Sequence, residues 1–317
     1  MTTITHDTPV RSTSRLGSGL ALAVVSAASF GLSGSLARGL LDTGWTAGAA
    51  VTARIVIAAL ALLVPAYLTM RGRWSLLRGN ASLVVTYGVV AVAGCQLCYF
   101  YAVAHMQVGV ALLIEYTAPV AVITWLWLRH GRAPGRLTLA GAVVALVGLV
   151  LVLDLVSGAD LSVVGVLWAL GAMVGAATYF VLSAEEGNGL PPLALAAGGL
   201  VTGAAVLLLA GLVGVVPMAA STDAVEFVGS TVPWWLPVLA LGLVTAALAY
   251  VSGIAASRRL GSRLASFVAL TEVVMSLLFA WLLLGELPRP VQLLGGLVIL
   301  AGVVMVKLDE RGAPRKN

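Results

Sequence analysis

The sequence predicts an all-α polytopic membrane protein, ten transmembrane helices arranged as two inverted-topology five-helix repeats. Three observations predict it. First, 60% of the 317 residues are apolar and only 10% are charged, whereas soluble domains carry about 25% charge; this much apolar surface needs lipid as its solvent. Second, the apolar residues form continuous helix-length runs, not the short alternating segments of a lipid-facing barrel. Third, the chain aligns with itself at a constant offset.

The elements follow in order. Residues 1–15 are polar and read as a cytoplasmic tail, with Arg11 and Arg15 before the first apolar run. A bilayer core takes about 20 apolar residues of helix. Runs of that size are Leu16–Leu41, Thr46–Met70, Ala81–Ala104, Val108–Leu128 and Leu137–Leu155, then Leu161–Ala184, Pro192–Val216, Trp234–Ser257, Leu264–Leu284 and Val291–Leu308. The first repeat is therefore 16–155, the second 161–308, and 309–317 is a second cytoplasmic tail. The first run is too long for a signal h-region and no A-x-A site closes it, so it reads as a retained span. Connections are tight except Pro217–Pro233, which carries Asp223 and Glu226 and reads as a surface loop.

Orientation follows from Lys and Arg. With the N-terminus inside, the inner segments hold Arg11, Arg15, Arg71, Arg73, Arg78, Arg129, Arg132, Arg136, Arg258, Arg259, Arg263, Lys307, Arg311, Arg315 and Lys316. The outer segments hold Arg38 and Arg289, and Arg54 is left within a span. That bias places both termini in the cytoplasm and the chain in the inner (plasma) membrane. The net charge of +5 thus reads as membrane orientation, and no nucleic-acid-binding motif accompanies it.

The self-alignment pairs Trp127 with Trp281, Gly131 with Gly285 and Pro134 with Pro288. Gly141 and Gly148 pair with Gly295 and Gly302, Gly88 with Gly242, and Ala102 with Ala256. The unit is five helices. An odd number makes the second copy enter the membrane from the opposite side. The charges agree, since Arg129, Arg132 and Arg136 face Leu283, Glu286 and Pro290 in the second copy, while Arg258 and Arg259 replace uncharged positions of the first. Inverted repeats are a secondary-transporter architecture, with the substrate site near midplane between the copies.

Several segments, in order, carry a resemblance. They are Thr52-Ala-Arg-Ile-Val-Ile-Ala-Ala around Arg54, Tyr99-Phe-Tyr-Ala102, Ala111-Leu-Leu and Ala118-Pro119. The second copy adds Ala265-Ser-Phe, Thr271-Glu272, Leu283-Leu-Gly-Glu286 and the Gly295-Gly…Gly302 helix. Over nearly its whole length the chain resembles the drug/metabolite transporter superfamily in its ten-helix EamA-domain branch. The resemblance implies export or exchange of amino acids and other small metabolites. It also implies that helices one to four and six to nine surround a central cavity, with five and ten at the periphery. A Glu-Pro pair frequent in helix nine of that family is here Glu272-Val273, so the sequence gives no proline to break span nine; Ala118-Pro119 is the equivalent in the first copy.

Three ionisable residues lie well inside spans: Arg54, Glu115 and Glu272. Each costs at least ~2.5 kcal/mol at the bilayer centre unless paired or wetted, so each should face the bundle interior. Arg54 and Glu115 lie at similar depth and are expected to pair. Glu272 is the first choice for coupling, either exchanging a proton for substrate or holding an amine of it. Gln96 and Tyr99 share a helix face, and Tyr116, Tyr179, Tyr250, Ser33 and Thr271 complete the expected cavity lining, an aromatic wall with few polar groups that suits a small organic molecule. Each of these also has a plain packing role available to it. Cys95 and Cys98 read as small packing residues, and Gly171-x-x-x-Gly175 and Gly199-x-x-x-Gly203 as close helix crossings.

The chain has no Walker A loop, no H-E-x-x-H and no G-x-S-x-G. The expectation is a secondary transporter that needs no cofactor or metal and has no catalytic residues. Its partners are a small-molecule substrate, the lipid bilayer and, through the carboxyls, protons. A passive facilitator, a receptor, an intramembrane enzyme and a homodimer are left open by the residues alone.

Overall fold

The computed structural model describes residues 10–105, 114–131, 133–152, 162–185, 187–285, 287 and 289–312. The first helix, α1, runs Val10–Asp42, and so begins inside the segment expected to be a tail. Thr46 then caps α2 (Ala47–Met70), its hydroxyl accepting from the Ala49 amide at 3.3 Å. A short helix α3 (Trp74–Gly79) lies across the turn that follows. Span three is α4 (Ala81–Thr86), a π-helical stretch Tyr87–Gly94, and α5 (Cys95–His105). Helices α6 (Ala118–His130) and α7 (Arg136–Val152) complete the described part of the first copy. The Ala111-Leu-Leu segment, most of the turn before it and the join between copies at 156–160 lie outside the described residues.

The second copy opens on α8 (Val163–Ser183), capped by Ser162, and α9 (Pro192–Leu212). The segment expected as an irregular loop contains a β-hairpin, β1 (Val225–Phe227) paired with β2 (Ser230–Val232), with Val225 opposite Val232. Its two-residue turn ends in Gly229 at φ +75°, a left-handed conformation that glycine adopts without steric cost. The chain is therefore not purely helical. Helix α10 (Trp235–Gly242), a π-helical stretch Leu243–Leu248, and α11 (Ala249–Ala269) follow. Gly261 (φ +79°) interrupts α11 and turns the chain at Arg258, Arg259 and Arg263. Next come α12 (Thr271–Phe279), a π-helical turn Ala280–Leu284, and α13 (Pro290–Gly312), which continues past Leu308 into the expected tail.

Among the described residues six helices are long and apolar enough to cross a bilayer, and Ala118–Arg129, Arg136–Leu151 and Thr271–Leu284 are shorter apolar helices. The outer surface carries large apolar side chains, such as Val64 at 66% and Leu212 at 83% exposure. So much exposed hydrocarbon marks a multi-pass membrane protein.

The two copies repeat the same local solutions. Both π-helical stretches in spans three and eight sit at the aligned glycines Gly88 and Gly242. Gly131 and Gly285, both left-handed, end their helices with amides donating to the carbonyls of Trp127 (2.8 Å) and Trp281 (3.1 Å). The aligned Trp and Gly residues are thus helix ends. Contacts between copies also exchange: α1 packs on α11 as α8 packs on α5, and α1 on α12 as α8 on α6.

The α7–α13 crossing shows the symmetry at atomic scale. A Cβ at Gly141 would lie 2.8 Å from the Gly302 carbonyl oxygen, and one at Gly148 would lie 2.7 Å from that of Gly295. Because Gly141 aligns with Gly295 and Gly148 with Gly302, each residue contacts the counterpart of the other. That is an isologous contact about a two-fold axis, and the reversed order makes the helices antiparallel.

Candidate functional site

The two copies carry a turn at aligned positions, Tyr116–Thr117 in the first and Leu270 in the second. In span nine α11 ends at Ala269, Leu270 keeps helical dihedrals (φ −59°, ψ −19°) but sits in a tightened turn of i→i+3 bonds, and α12 restarts at Thr271. In span four the turn Tyr116–Thr117 precedes α6, which starts at Ala118 with Pro119 in its first turn. The break in span nine, for which the sequence offered no proline, is present. The chain is turned there by local hydrogen bonds: Leu270 N–H donates to Phe267 O at 3.1 Å and Thr271 Oγ1 to Val268 O at 2.7 Å. Hydroxyls that bond their own backbone in this way destabilise and bend helices.

The breaks place a carboxyl on each side of one cavity. Glu115 precedes the first break and Glu272 lies in the first turn of α12, where the positive end of the helix dipole favours an acidic group. The cavity has a volume of about 130 Å³; an apolar cavity of roughly 150 Å³ admits a benzene-sized molecule. Glu115, Glu272, Gln96, Tyr116, Tyr179 and Tyr250 all line it, as expected from the sequence. The Tyr116 ring and the Glu272 carboxyl line the same cavity.

The aromatic wall is continuous. The ring of Phe30 meets Tyr250 edge-on at 5.3 Å, Tyr250 meets Tyr179 at 5.8 Å, and Tyr179 meets Phe180 at 4.9 Å. Gly253 makes room for this cluster. A Cβ there would collide with the Tyr179 phenol oxygen and approach Ser26 Oγ to 2.7 Å. Ser26 in turn donates to Ala249 O at 2.8 Å, tying α1 to α11. Gly31 lets α1 close on α12, where a Cβ would be 2.9 Å from the Glu272 carbonyl oxygen.

Four expected residues lie outside the lining: Arg54, Tyr99, Ser33 and Thr271. The expected Arg54–Glu115 ion pair is not formed among the described residues. Instead Arg54 Nη2 donates to the Thr245 carbonyl at 2.6 Å, and the guanidinium lies 5.5 Å over the Phe30 ring. Thr245 is inside a π-helical stretch, a local irregularity that recurs at functional sites. Arg54 therefore joins α2 to span eight just behind the aromatic wall. Tyr99 sits one turn beyond Gln96, and Ser33 one turn beyond Phe30, where the cavity ends. Thr271 is spent on the helix break.

Sequence reasoning missed Ser26, Phe30, Pro119, Ser257, Ser266 and Cys95 as lining. Cys95 Sγ lies 3.6 Å from Glu115 Oε1 and 3.4 Å from Ala172 O. The spacing of Ala23, Ser26, Ala27 and Phe30 is one helix face and could have been found by it. The peripheral helices α7 and α13 contribute nothing to the lining; neither do spans two and seven, which pack on each other one layer out.

A family model described as EamA-like transporter family matches residues 17–154 and again 163–308. No curated protein sequence matches the chain. A solved structure titled "Crystal structure of protein" superposes with a TM-score of 0.73, covering 92% of this chain and 98% of its own, at 24% identity. At that identity the likeness speaks for the fold alone.

Proposed function

We propose that this chain, which belongs to the EamA-like transporter family, is a secondary transporter that exports small amino-bearing metabolites, amino acids among them, by alternating access. The chain spans the inner membrane ten times with both termini in the cytoplasm, as two inverted five-helix copies. The antiparallel exchange of glycines between α7 and α13 supports that inversion, because an axis along the membrane normal would leave equivalent helices parallel.

The observation that carries the substrate reading is the cavity at the paired breaks, with Glu115 and Glu272 against the Phe30, Tyr116, Tyr179 and Tyr250 wall. Carboxyls and aromatic faces together attract an ammonium group. The start of α6, Ala118 and Pro119, also lines the cavity, and the positive end of its dipole favours a carboxylate there. A zwitterion fits both. Glu272 and Glu115 are the groups that exchange protons for substrate, and the tight glycine contacts of α1 with α12 let the copies rock as units.

Ligand-induced thermal stabilisation tests this. A ligand that binds only the folded protein raises its apparent stability. Amino acids and polyamines should stabilise the purified protein where nucleosides and acidic vitamins do not. Stabilisation by neutral or acidic compounds alone would contradict the reading.

A further inference from the structure

A second, separate cavity lies on the outer surface, between α2 and α9. It has a volume of about 450 Å³ and is lined by Leu63, Val64, Tyr67, Trp74, Leu77 and Val201, with Ala194, Ala197 and Gly198 as its floor. Its size is within the roughly 300–1,000 Å³ of ordinary ligand sites. The groove has depth because α9 presents only small residues, Ala194, Ala197 and Gly198, at its floor, and Pro65 interrupts the hydrogen-bond ladder of α2 at the same level. Short helix α3 closes one end, held by Asn80 Nδ2 donating to Asn188 O at 3.1 Å.

That end carries charge. Arg71, Arg73 and Arg78 flank the lining residues Met70, Trp74 and Leu77 and are all exposed. Three arginines outnumber the two carboxylates, Glu185 and Glu186, in the loop to which Asn80 is tied. The rings of Tyr67 and Trp74 meet at 5.6 Å, tilted by 50°, on the same ledge; such aromatic residues mark the boundary between hydrocarbon and headgroups. An apolar slot ending in an aromatic ledge and an arginine rim matches an acyl chain joined to an anionic headgroup. We propose that this groove is a binding site for an anionic phospholipid, one acyl chain lying between α2 and α9 and its phosphate on Arg71, Arg73 and Arg78. Each arginine near an anionic surface contributes roughly fivefold in affinity.

Native mass spectrometry and melting curves of the full chain test it, with phosphatidylglycerol and phosphatidylcholine of identical acyl chains as probes. The wild type should retain one phosphatidylglycerol more firmly than any phosphatidylcholine and melt higher with it. The triple variant Arg71→Gln/Arg73→Gln/Arg78→Gln should lose more than about tenfold in that preference. Val201→Trp, which fills the groove from its exposed side, should lose the retained lipid while keeping the arginines. Equal retention of the two lipids by the wild type would overturn the proposal. So would a phosphatidylglycerol preference that survives either variant.

Discussion

Gly302→Ala and Gly296→Ala are the same chemical change six residues apart on α13, with opposite expected outcomes. A Cβ at Gly302 would sit 2.7 Å from the Ala145 amide nitrogen, 2.7 Å from the Gly141 carbonyl oxygen and 2.8 Å from Ala145 Cβ. Two of those atoms are backbone, so relief requires α7 and α13 to move apart. Overpacking of this kind costs about 1–3 kcal/mol. At Gly296 the nearest atom is Val274 Cγ2 at 3.5 Å, an ordinary contact. Both variants gain up to ~1 kcal/mol of helix propensity, which cancels in the comparison. Gly302→Ala should therefore be the less stable of the two by about 1–3 kcal/mol, and Gly296→Ala should equal or exceed the wild type. Melting of the purified proteins in one detergent reads this directly. Gly148→Ala, whose Cβ would meet Ile299 N at 2.6 Å and Gly295 O at 2.7 Å, should fall with Gly302→Ala if the two copies share the crossing symmetrically. Equal melting of Gly302→Ala and Gly296→Ala would refute the close backbone contact, and with it the isologous crossing.

Two further outcomes follow from the site and the topology. Gly253→Ala pushes the Tyr179 phenol from its place beside Ser26, so ligand-induced stabilisation should be lost while the unliganded protein still folds; retained ligand response would show that the aromatic wall is not the binding surface. A cysteine at Asp223, in the loop before the hairpin, should react with an impermeant maleimide added to intact cells while one at Ser75 on α3 should not, and the reverse pattern would turn the topology over.

Much of the architecture is legible in the sequence because membranes simplify the problem. Lipid demands long apolar helices, so composition and run length locate α2 and α8 within a residue or two of their ends. The repeat is legible because its markers, Trp127/Gly131 against Trp281/Gly285, are helix caps, and Gly141/Gly148 against Gly295/Gly302 are backbone contacts; both are geometries few residues satisfy. The hairpin at Val225–Val232 was also written in the chain, as short alternation about Val228-Gly229, but was obscured by the polar character of the whole loop. Six lining residues, Glu115, Glu272, Gln96, Tyr116, Tyr179 and Tyr250, were legible as polar or aromatic groups inside spans. The rest of the site was not, for two reasons. Small residues such as Ser26 and Cys95 line space without any distinctive chemistry. The partner of Arg54 is a backbone carbonyl within a π-helical stretch, and no side-chain inventory contains it. The break before Glu272 depends on Thr271 bonding its own backbone, which the absence of proline concealed.

The central claim is that Glu272, at the break of span nine, couples substrate to its passage through the cavity. Counterflow of the stabilising amino acid into proteoliposomes, measured across pH for wild type and Glu272→Gln, addresses it most directly, since glutamine keeps the volume and hydrogen bonding while removing the titration. The account predicts pH-dependent exchange by the wild type, and slow or pH-independent exchange by Glu272→Gln of unchanged melting temperature. Exchange by Glu272→Gln at the wild-type rate with the wild-type pH profile would contradict it.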